Sequence, residues 1–89
     1  MSDIKIKYTK EALKTLEKYD ALMRNYIREK INGLTQTPPS GDIRLLNGCK
    51  NQYRLRAGKY RVIYEYIAEN GVKILMINKI DSRGGIYKG

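Results

Sequence analysis

Residues 50–66 alternate cationic side chains with large apolar or aromatic ones on both sides of a single glycine, Gly58. A period of two is what a strand with one buried and one solvated face requires, so the stretch predicts a β-hairpin with its loop at residues 57–58. The apolar face of this hairpin carries Tyr53, Leu55, Tyr60, Val62 and Tyr64. A shift of one residue would turn charges toward the core, so the pattern constrains how the two strands pair.

The other face of the predicted hairpin is cationic. In this register Arg56 lies opposite Lys59. Arg54 likewise lies opposite Arg61. Like charges directly opposite each other destabilise a sheet. Because no acidic residue occurs between Lys50 and Arg61, this face is predicted to bind an anion, and phosphate is the obvious candidate.

The overall charge also points to an anionic partner. Among the 89 residues, 18 are Lys or Arg and 9 are Asp or Glu, which gives a net charge of +9. Such an excess favours nucleic acid, an anionic membrane surface or an acidic protein as partner. No apolar run approaches the roughly 20 residues that span a bilayer, and no N-terminal apolar segment resembles a signal peptide, so no membrane association is expected. The length predicts one domain, residues 1–89.

The chain has one cysteine, Cys49, and no histidine. A lone cysteine forms no internal disulfide and is typical of a small apolar residue in the reducing cytoplasm, which is the expected location. Without histidine, Ser-His-Asp catalysis, a His-activated cysteine and zinc sites of His or Cys pairs are excluded. No metal or cofactor is therefore expected, and any chemistry must use Lys, Arg, Tyr, Glu or Asp.

The first 35 residues predict one strand and two helices. Alternation predicts the strand over residues 4–8. Thr9 is a suitable N-cap for a helix to about Lys18, and Asp20 for a second helix to about Leu34.

The remainder predicts strands. These are a short strand from Ile43 to Leu46, hairpin strands at 52–57 and 59–68, and a strand at 72–77 after the turn signal Glu69-Asn70-Gly71. The last strand shows little alternation, which suits a central strand covered on both faces, and residues 81–87 are expected to form a turn or irregular segment. The order β-α-α-β-β-β-β predicts an α+β fold with two N-terminal helices packed on a small, mainly antiparallel, twisted sheet.

This order and several motifs resemble the RelE/ParE superfamily of toxins from type II toxin–antitoxin systems, with the RelE-like branch favoured. The resemblance covers nearly the whole chain and rests on residues 39–48, 53–56 and 58–64, and on Arg83 four residues before Tyr87. It implies a RelE-like toxin fold.

For function, the resemblance implies a metal-independent endoribonuclease that cuts messenger RNA in the ribosomal decoding site and inhibits translation. In that branch the 2′-hydroxyl attacks the adjacent phosphate and leaves a cyclic phosphate and a free 5′-hydroxyl. Residue by residue, the resemblance assigns catalysis to Arg61, Arg54, Arg83 and Tyr87, with Arg61 clamping the phosphate. Because they are near the same face, Lys50, Arg56 and Lys59 are expected to bind the ribosomal RNA backbone, and Gln52 is counted among the RNA-binding residues.

Two positions depart from the family pattern. Gln52 stands where the RelE-like branch has a basic residue that transfers a proton, and Asp81 stands where it has a further arginine, unless Arg83 takes over that role. Glu65 shares a face with Arg61 by strand parity and is either a base or a charge-balancing neighbour. The general acid and base are therefore unassigned.

Two other functions stay open. One is a ParE-like activity, in which the same fold poisons DNA gyrase, and the other is a basic RNA-binding scaffold without catalysis. A RelE-like or a ParE-like toxin implies an acidic cognate antitoxin as partner. The RelE-like hypothesis adds the ribosome and messenger RNA as partners. No small-molecule cofactor is expected.

Overall fold

The computed structural model describes residues 4–46 and 51–82. The elements are β1 (Lys5–Tyr8), α1 (Lys10–Lys18), α2 (Ala21–Asn32) with a 3-10 turn (Gly33–Thr35), β2 (Asp42–Leu45), β3 (Gln52–Ala57), β4 (Tyr60–Glu69) and β5 (Val72–Ser82). Within the described residues, no helix is long and apolar enough to cross a membrane.

Both helices begin at the predicted caps. The Thr9 hydroxyl accepts a hydrogen bond from the backbone N–H of Ala12 at 3.1 Å, and the Asp20 carboxylate accepts one from the N–H of Met23 at 2.9 Å. Each bond satisfies a backbone donor that the first helical turn leaves without a partner. The two-helix prediction is confirmed, although the second helix ends in the 3-10 turn rather than running unbroken to Leu34.

The five strands form one sheet in the order β1-β5-β4-β3-β2. Only β1 runs parallel to its neighbour, β5, while the other neighbours are antiparallel. The helices cover one face, where side chains from both helices and from β3, β4 and β5 make the core. Its fully buried members are Ala12, Leu16, Ile27, Ile31, Leu34, Leu55, Val62, Tyr64, Leu75, Ile77 and Ile80. The predicted α+β fold with a mainly antiparallel sheet is confirmed.

The central hairpin differs from the prediction by two residues of register. Its loop is Gly58-Lys59, not residues 57–58, and Ala57 pairs with Tyr60. Gly58 has a φ of +64° at the first loop position, where a two-residue hairpin turn favours glycine. Because the shift is an even number, the apolar and cationic faces stay as predicted, but the partner of each cation changes.

The last strand also differs from the prediction. It is central as expected, between β1 and β4, but it continues to Ser82, so residues 81–82 are strand rather than irregular. Lys79 pairs with Ile63 and Ile77 pairs with Tyr64, which leaves Asn78 as an extra residue at a register shift. Such a bulge moves the following residues to the other face. Before the bulge, the adjacent residues Ile74 and Leu75 point to opposite faces and are both buried, which agrees with the weak alternation of residues 72–77.

A tyrosine cluster packs into the core beside the helices. The ring of Tyr64 is 1 % exposed and stacks on Tyr53, with centroids 5.5 Å apart. The Tyr66 hydroxyl donates a 2.7 Å hydrogen bond to the carbonyl of Leu34. Burial raises the pKa of Tyr64 well above its ordinary value of 10.0, and the nearby hydroxyls of Tyr66 and Tyr53 raise it further.

We expect Gly41→Ala to destabilise the protein by roughly 2–4 kcal/mol. Gly41 has a φ of +128°, where an L side chain is strained, and a methyl group there would lie 2.7 Å from Cδ1 of buried Leu55. Gly71→Ala is the control, because its φ is +77° with no atom within 4 Å, so only about 1 kcal/mol of backbone strain is expected. Equal losses in urea unfolding would contradict the steric role of Leu55.

Alkaline pH should unfold the wild type more readily than Tyr64→Phe. The pKa of Tyr64 is higher in the folded than in the unfolded chain, so its stabilisation is complete below pH 10 and is lost as pH rises above that value. Denaturant midpoints measured from pH 8 to 11.5 should fall less steeply for Tyr64→Phe. Tyr26→Phe, at a tyrosine 37 % exposed, should follow the wild-type curve. Parallel curves for all three proteins would be evidence against the buried hydroxyl.

Candidate anion-binding face of the sheet

The face of the sheet opposite the helices, here called the open face, collects charged side chains from all five strands described above. Strand alternation places on it the residues whose neighbours in sequence enter the core. Its charged and polar members on β2 to β5 include Asp42, Arg44, Gln52, Arg54, Arg56, Arg61, Glu65, Glu69, Lys79 and Asp81, and β1 adds Lys5 and Lys7. Four of the predicted site residues therefore lie together: Arg61, Arg54, Gln52 and Arg56.

One row of this face runs straight across four strands. Asp42 pairs with Arg56, Arg56 with Arg61, and Arg61 with Asp81. In this Asp–Arg–Arg–Asp row each outer carboxylate contacts its neighbouring guanidinium: Arg61 Nε donates to Asp81 Oδ1 at 3.2 Å, and Arg56 Nε lies 3.6 Å from Asp42 Oδ2. The acids offset the repulsion between the two adjacent arginines.

The next row has a different charge. Arg44 pairs with Arg54, Arg54 with Ile63, and Ile63 with Lys79. This cationic row carries three positive charges and no acid. Arg44 is exposed and pairs with Arg54, so three positive charges in a row without an acid lie beside Arg61.

Two pairings of the predicted cationic face are wrong. Arg54 lies opposite Ile63, not Arg61, and Arg56 lies opposite Arg61, not Lys59. Arg54 and Arg61 remain diagonal neighbours, with Cβ atoms expected roughly 7–8 Å apart, so both can reach one or two adjacent phosphates. Lys59 is in the turn, where its ammonium lies 5.9 Å from the centre of the Tyr60 ring.

The position of the two acids beside the arginines was not predicted. The acid-free interval from Lys50 to Arg61 describes one hairpin, whereas Asp42 and Asp81 come from the flanking strands. Arg44 was missed as a site residue for the same reason. The alternation of Asp42, Ile43 and Arg44 was the signal that could have placed Arg44 on the open face.

Glu65 lies on the open face, as parity predicted, but farther along it. It pairs with Gln52, and its carboxylate accepts a 3.3 Å hydrogen bond from the side-chain amide of Asn78. Four residues of extended strand separate it from Arg61, which corresponds to roughly 13 Å between Cα atoms. Glu65 and Gln52 thus form a polar pair two rows away from the Asp–Arg–Arg–Asp row.

Three predicted site residues, Lys50, Arg83 and Tyr87, lie outside the described residues. Of the described tyrosines, burial is the main cause that raises the pKa of Tyr8, Tyr19, Tyr64 and Tyr66. These four belong to or pack against the core on the helix side, so they are poor bases near neutral pH. Across residues 4–46 and 51–82, no group of three or more Cys, Asp or Glu side chains is arranged to hold a metal ion.

Chemically, the open face can bind a phosphodiester backbone and stabilise charge on it. Guanidinium groups bind phosphate oxygens through two parallel hydrogen bonds, and their fixed charge is available before the substrate arrives. The cationic row can attract a phosphate, and the arginine in the next row, Arg61, is held by an acid.

Residues 6–87 match the family model of the ParE toxin of type II toxin–antitoxin systems. The chain belongs to this toxin family. A curated protein named RelE1, from Methanocaldococcus jannaschii, is 34 % identical to this toxin over an alignment of 82 residues, and the match covers 89 % of each chain. The wider RelE/ParE superfamily resemblance is therefore confirmed.

Solved toxin structures have the same fold. The RelE–RelB complex from Pyrococcus horikoshii OT3 contains a chain with a TM-score of 0.72 and 28 % identity, and the match covers 92 % of this toxin and 97 % of that chain. The intact RelBE toxin–antitoxin complex of E. coli matches with a TM-score of 0.67 and 21 % identity, over 88 % and 94 % of the two chains. At that lower identity the likeness concerns the fold alone.

Proposed function

We propose that this RelE-like toxin is an endoribonuclease that cuts messenger RNA in the decoding site of the ribosome and so stops translation in the cytoplasm. The observation that carries the proposal is the cationic row of Arg44, Arg54 and Lys79 beside Arg61 on the helix-free side of the sheet. Arginines gathered on one open face suit the binding of a phosphodiester backbone, which a nuclease requires.

The proposed reaction is an attack within the substrate. The 2′-hydroxyl gives up its proton as its oxygen forms a bond to the adjacent phosphorus, the bond from phosphorus to the 5′-oxygen breaks, and that oxygen takes up a proton, which yields a cyclic phosphate and a 5′-hydroxyl. Negative charge grows on the phosphate oxygens in the transition state, and Arg61, with Arg54 diagonal to it, would stabilise that charge through its guanidinium. We also assign Arg83 and Tyr87 to the catalytic set on the family resemblance.

RNA binding is assigned to the surrounding polar groups. Arg56 lies beside Arg61 and Gln52 lies two residues before Arg54 on β3, so both border the proposed path of the message. Lys59 at the turn and Lys50 are assigned to ribosomal RNA by charge. Contacts of this kind release counterions and weaken steeply as salt is added.

The competing candidate is inhibition of DNA gyrase. It is supported by one specific observation, that the matched family model is the one named for ParE. The two candidates differ in where the toxin acts, so a direct assay on messenger RNA separates them.

An antitoxin partner follows from the relatives. The P. horikoshii relative is a RelE toxin solved with its RelB antitoxin. With a net charge of +9, this toxin should bind an acidic antitoxin, and opposite charges speed such encounters in a salt-dependent way.

Primer extension on a defined message, with and without translating ribosomes, tests the nuclease. We expect cuts within codons only when ribosomes are present. Arg61→Ala should lower the cleavage rate by about a hundredfold or more, since it removes a preorganised charge at the phosphate. Its unfolding free energy should change by no more than about 1 kcal/mol, because the Arg61–Asp81 pair is partly exposed.

Lys14→Ala is the matched control, since it removes one positive charge from the exposed surface of α1. It should cut as well as the wild type. No cuts from a preparation that still arrests growth would move the assignment to gyrase. No cuts and no growth arrest, with RNA binding retained, would indicate a non-catalytic scaffold.

Neutralisation by the antitoxin is the second test. When the cognate antitoxin, which we expect to be acidic, is purified and added in equimolar amount, cleavage should stop. The association rate measured by stopped flow should fall as salt rises from 50 to about 300 mM. A stable complex that still cuts the message would contradict the proposed partner role.

A further inference from the structure

We propose that Asp81 is a positioning residue for Arg61: its carboxylate holds the guanidinium at Nε and turns the terminal nitrogens toward the phosphate. This inference rests on the proposed nuclease function. It assigns a role to the residue at which the chain departs from the arginine expected of a RelE-like toxin.

The two Asp–Arg contacts of the same row show why Asp81 is singled out. Arg61 and Asp81 are direct cross-strand partners, joined at 3.2 Å, with side chains 28 % and 35 % exposed. Arg56 and Asp42 are also cross-strand partners, but they are 3.6 Å apart with side chains 43 % and 55 % exposed. The Arg61–Asp81 contact meets hydrogen-bond criteria and is less exposed, so it is the better restraint.

The atom that Asp81 contacts decides what is left for a ligand. A guanidinium has five N–H groups, one on Nε and two on each terminal nitrogen. Asp81 uses the Nε–H. Among the described residues, neither terminal nitrogen of Arg61 has a recorded hydrogen-bond partner, so their outer edge remains for two parallel bonds to a phosphate.

Charge and orientation have opposite effects here. As an anion, Asp81 repels a phosphate, so a purely electrostatic role would weaken binding of the message. The three cations of the cationic row attract the phosphate from one row away. They offset the attraction that Arg61 loses because it is paired with an acid. The gain from an arginine already held in place is realised in the transition state, so Asp81 should act on the cleavage rate and not on affinity.

The experiment compares four proteins in single-turnover cleavage on programmed ribosomes: wild type, Asp81→Asn, Asp81→Ala and Asp42→Ala. Asparagine keeps an oxygen that accepts from Nε, and alanine does not. Asp42→Ala is the matched control, because it removes the same charge from the other end of the same row.

We expect Asp81→Ala to lower the saturating rate by roughly ten- to a hundredfold without raising the ribosome concentration at half-maximal rate. Asp81→Asn should stay within about threefold of the wild-type rate, and Asp42→Ala should not lower the rate. If both aspartates changed to alanine behave alike, or if Asp81→Ala cuts as fast as the wild type, the positioning role is wrong.

A nuclear magnetic resonance measurement follows the same bond without RNA. The Nε–H proton of Arg61 should exchange slowly with water in the wild type, Asp81→Asn and Asp42→Ala, and quickly in Asp81→Ala. Fast exchange in the wild type would overturn the proposal. Slow exchange in a wild type that cuts no message would instead refute the nuclease function, and the positioning role with it, while the ion pair itself stands.

Discussion

The pairing of β4 with β5 is the constraint on which the rest of the structure depends. It joins the two longest strands at the middle of the sheet. On one side, the pair supplies Val62, Tyr64, Ile77 and Ile80 to the core that the helices cover. On the other side, it sets Asp81 against Arg61 and Lys79 against Ile63. Core packing and the open face are thus two consequences of one register.

Much of the fold could be predicted because its signals are local. Thr9 and Asp20 each cap a helix start through one side-chain hydrogen bond. The Asn70-Gly71 turn takes the positive φ angles, +52° and +77°, that a tight hairpin needs. The position of the hairpin loop was predicted wrongly, because alternation defines which face a residue occupies but not which residue lies across from it. A shift of two leaves every face unchanged, and only the preference of Gly58 for the first turn position separates the two registers.

The candidate site was predicted in part for a related reason. Arg54, Arg56 and Arg61 belong to one hairpin, so their shared face is visible along the chain. Asp42, Arg44 and Asp81 join them only after β2 and β5 have paired with that hairpin. The charge of the open face depends on all the strands that form it. Counting charges in the hairpin alone leaves out Asp42 and Asp81 and therefore overstates the positive charge of the face.

The extra residue Asn78 reverses which face of the sheet the odd and even positions of β5 occupy. Before it, Leu75 and Ile77 enter the core at odd positions, and after it Ile80 enters at an even one. The half of the strand that carries Lys79 and Asp81 is therefore in a different frame from the half that pairs with β1. Loss of one residue there would exchange the charged and apolar sides of the strand's end, so the core and the charge pattern of the open face both depend on this one extra residue.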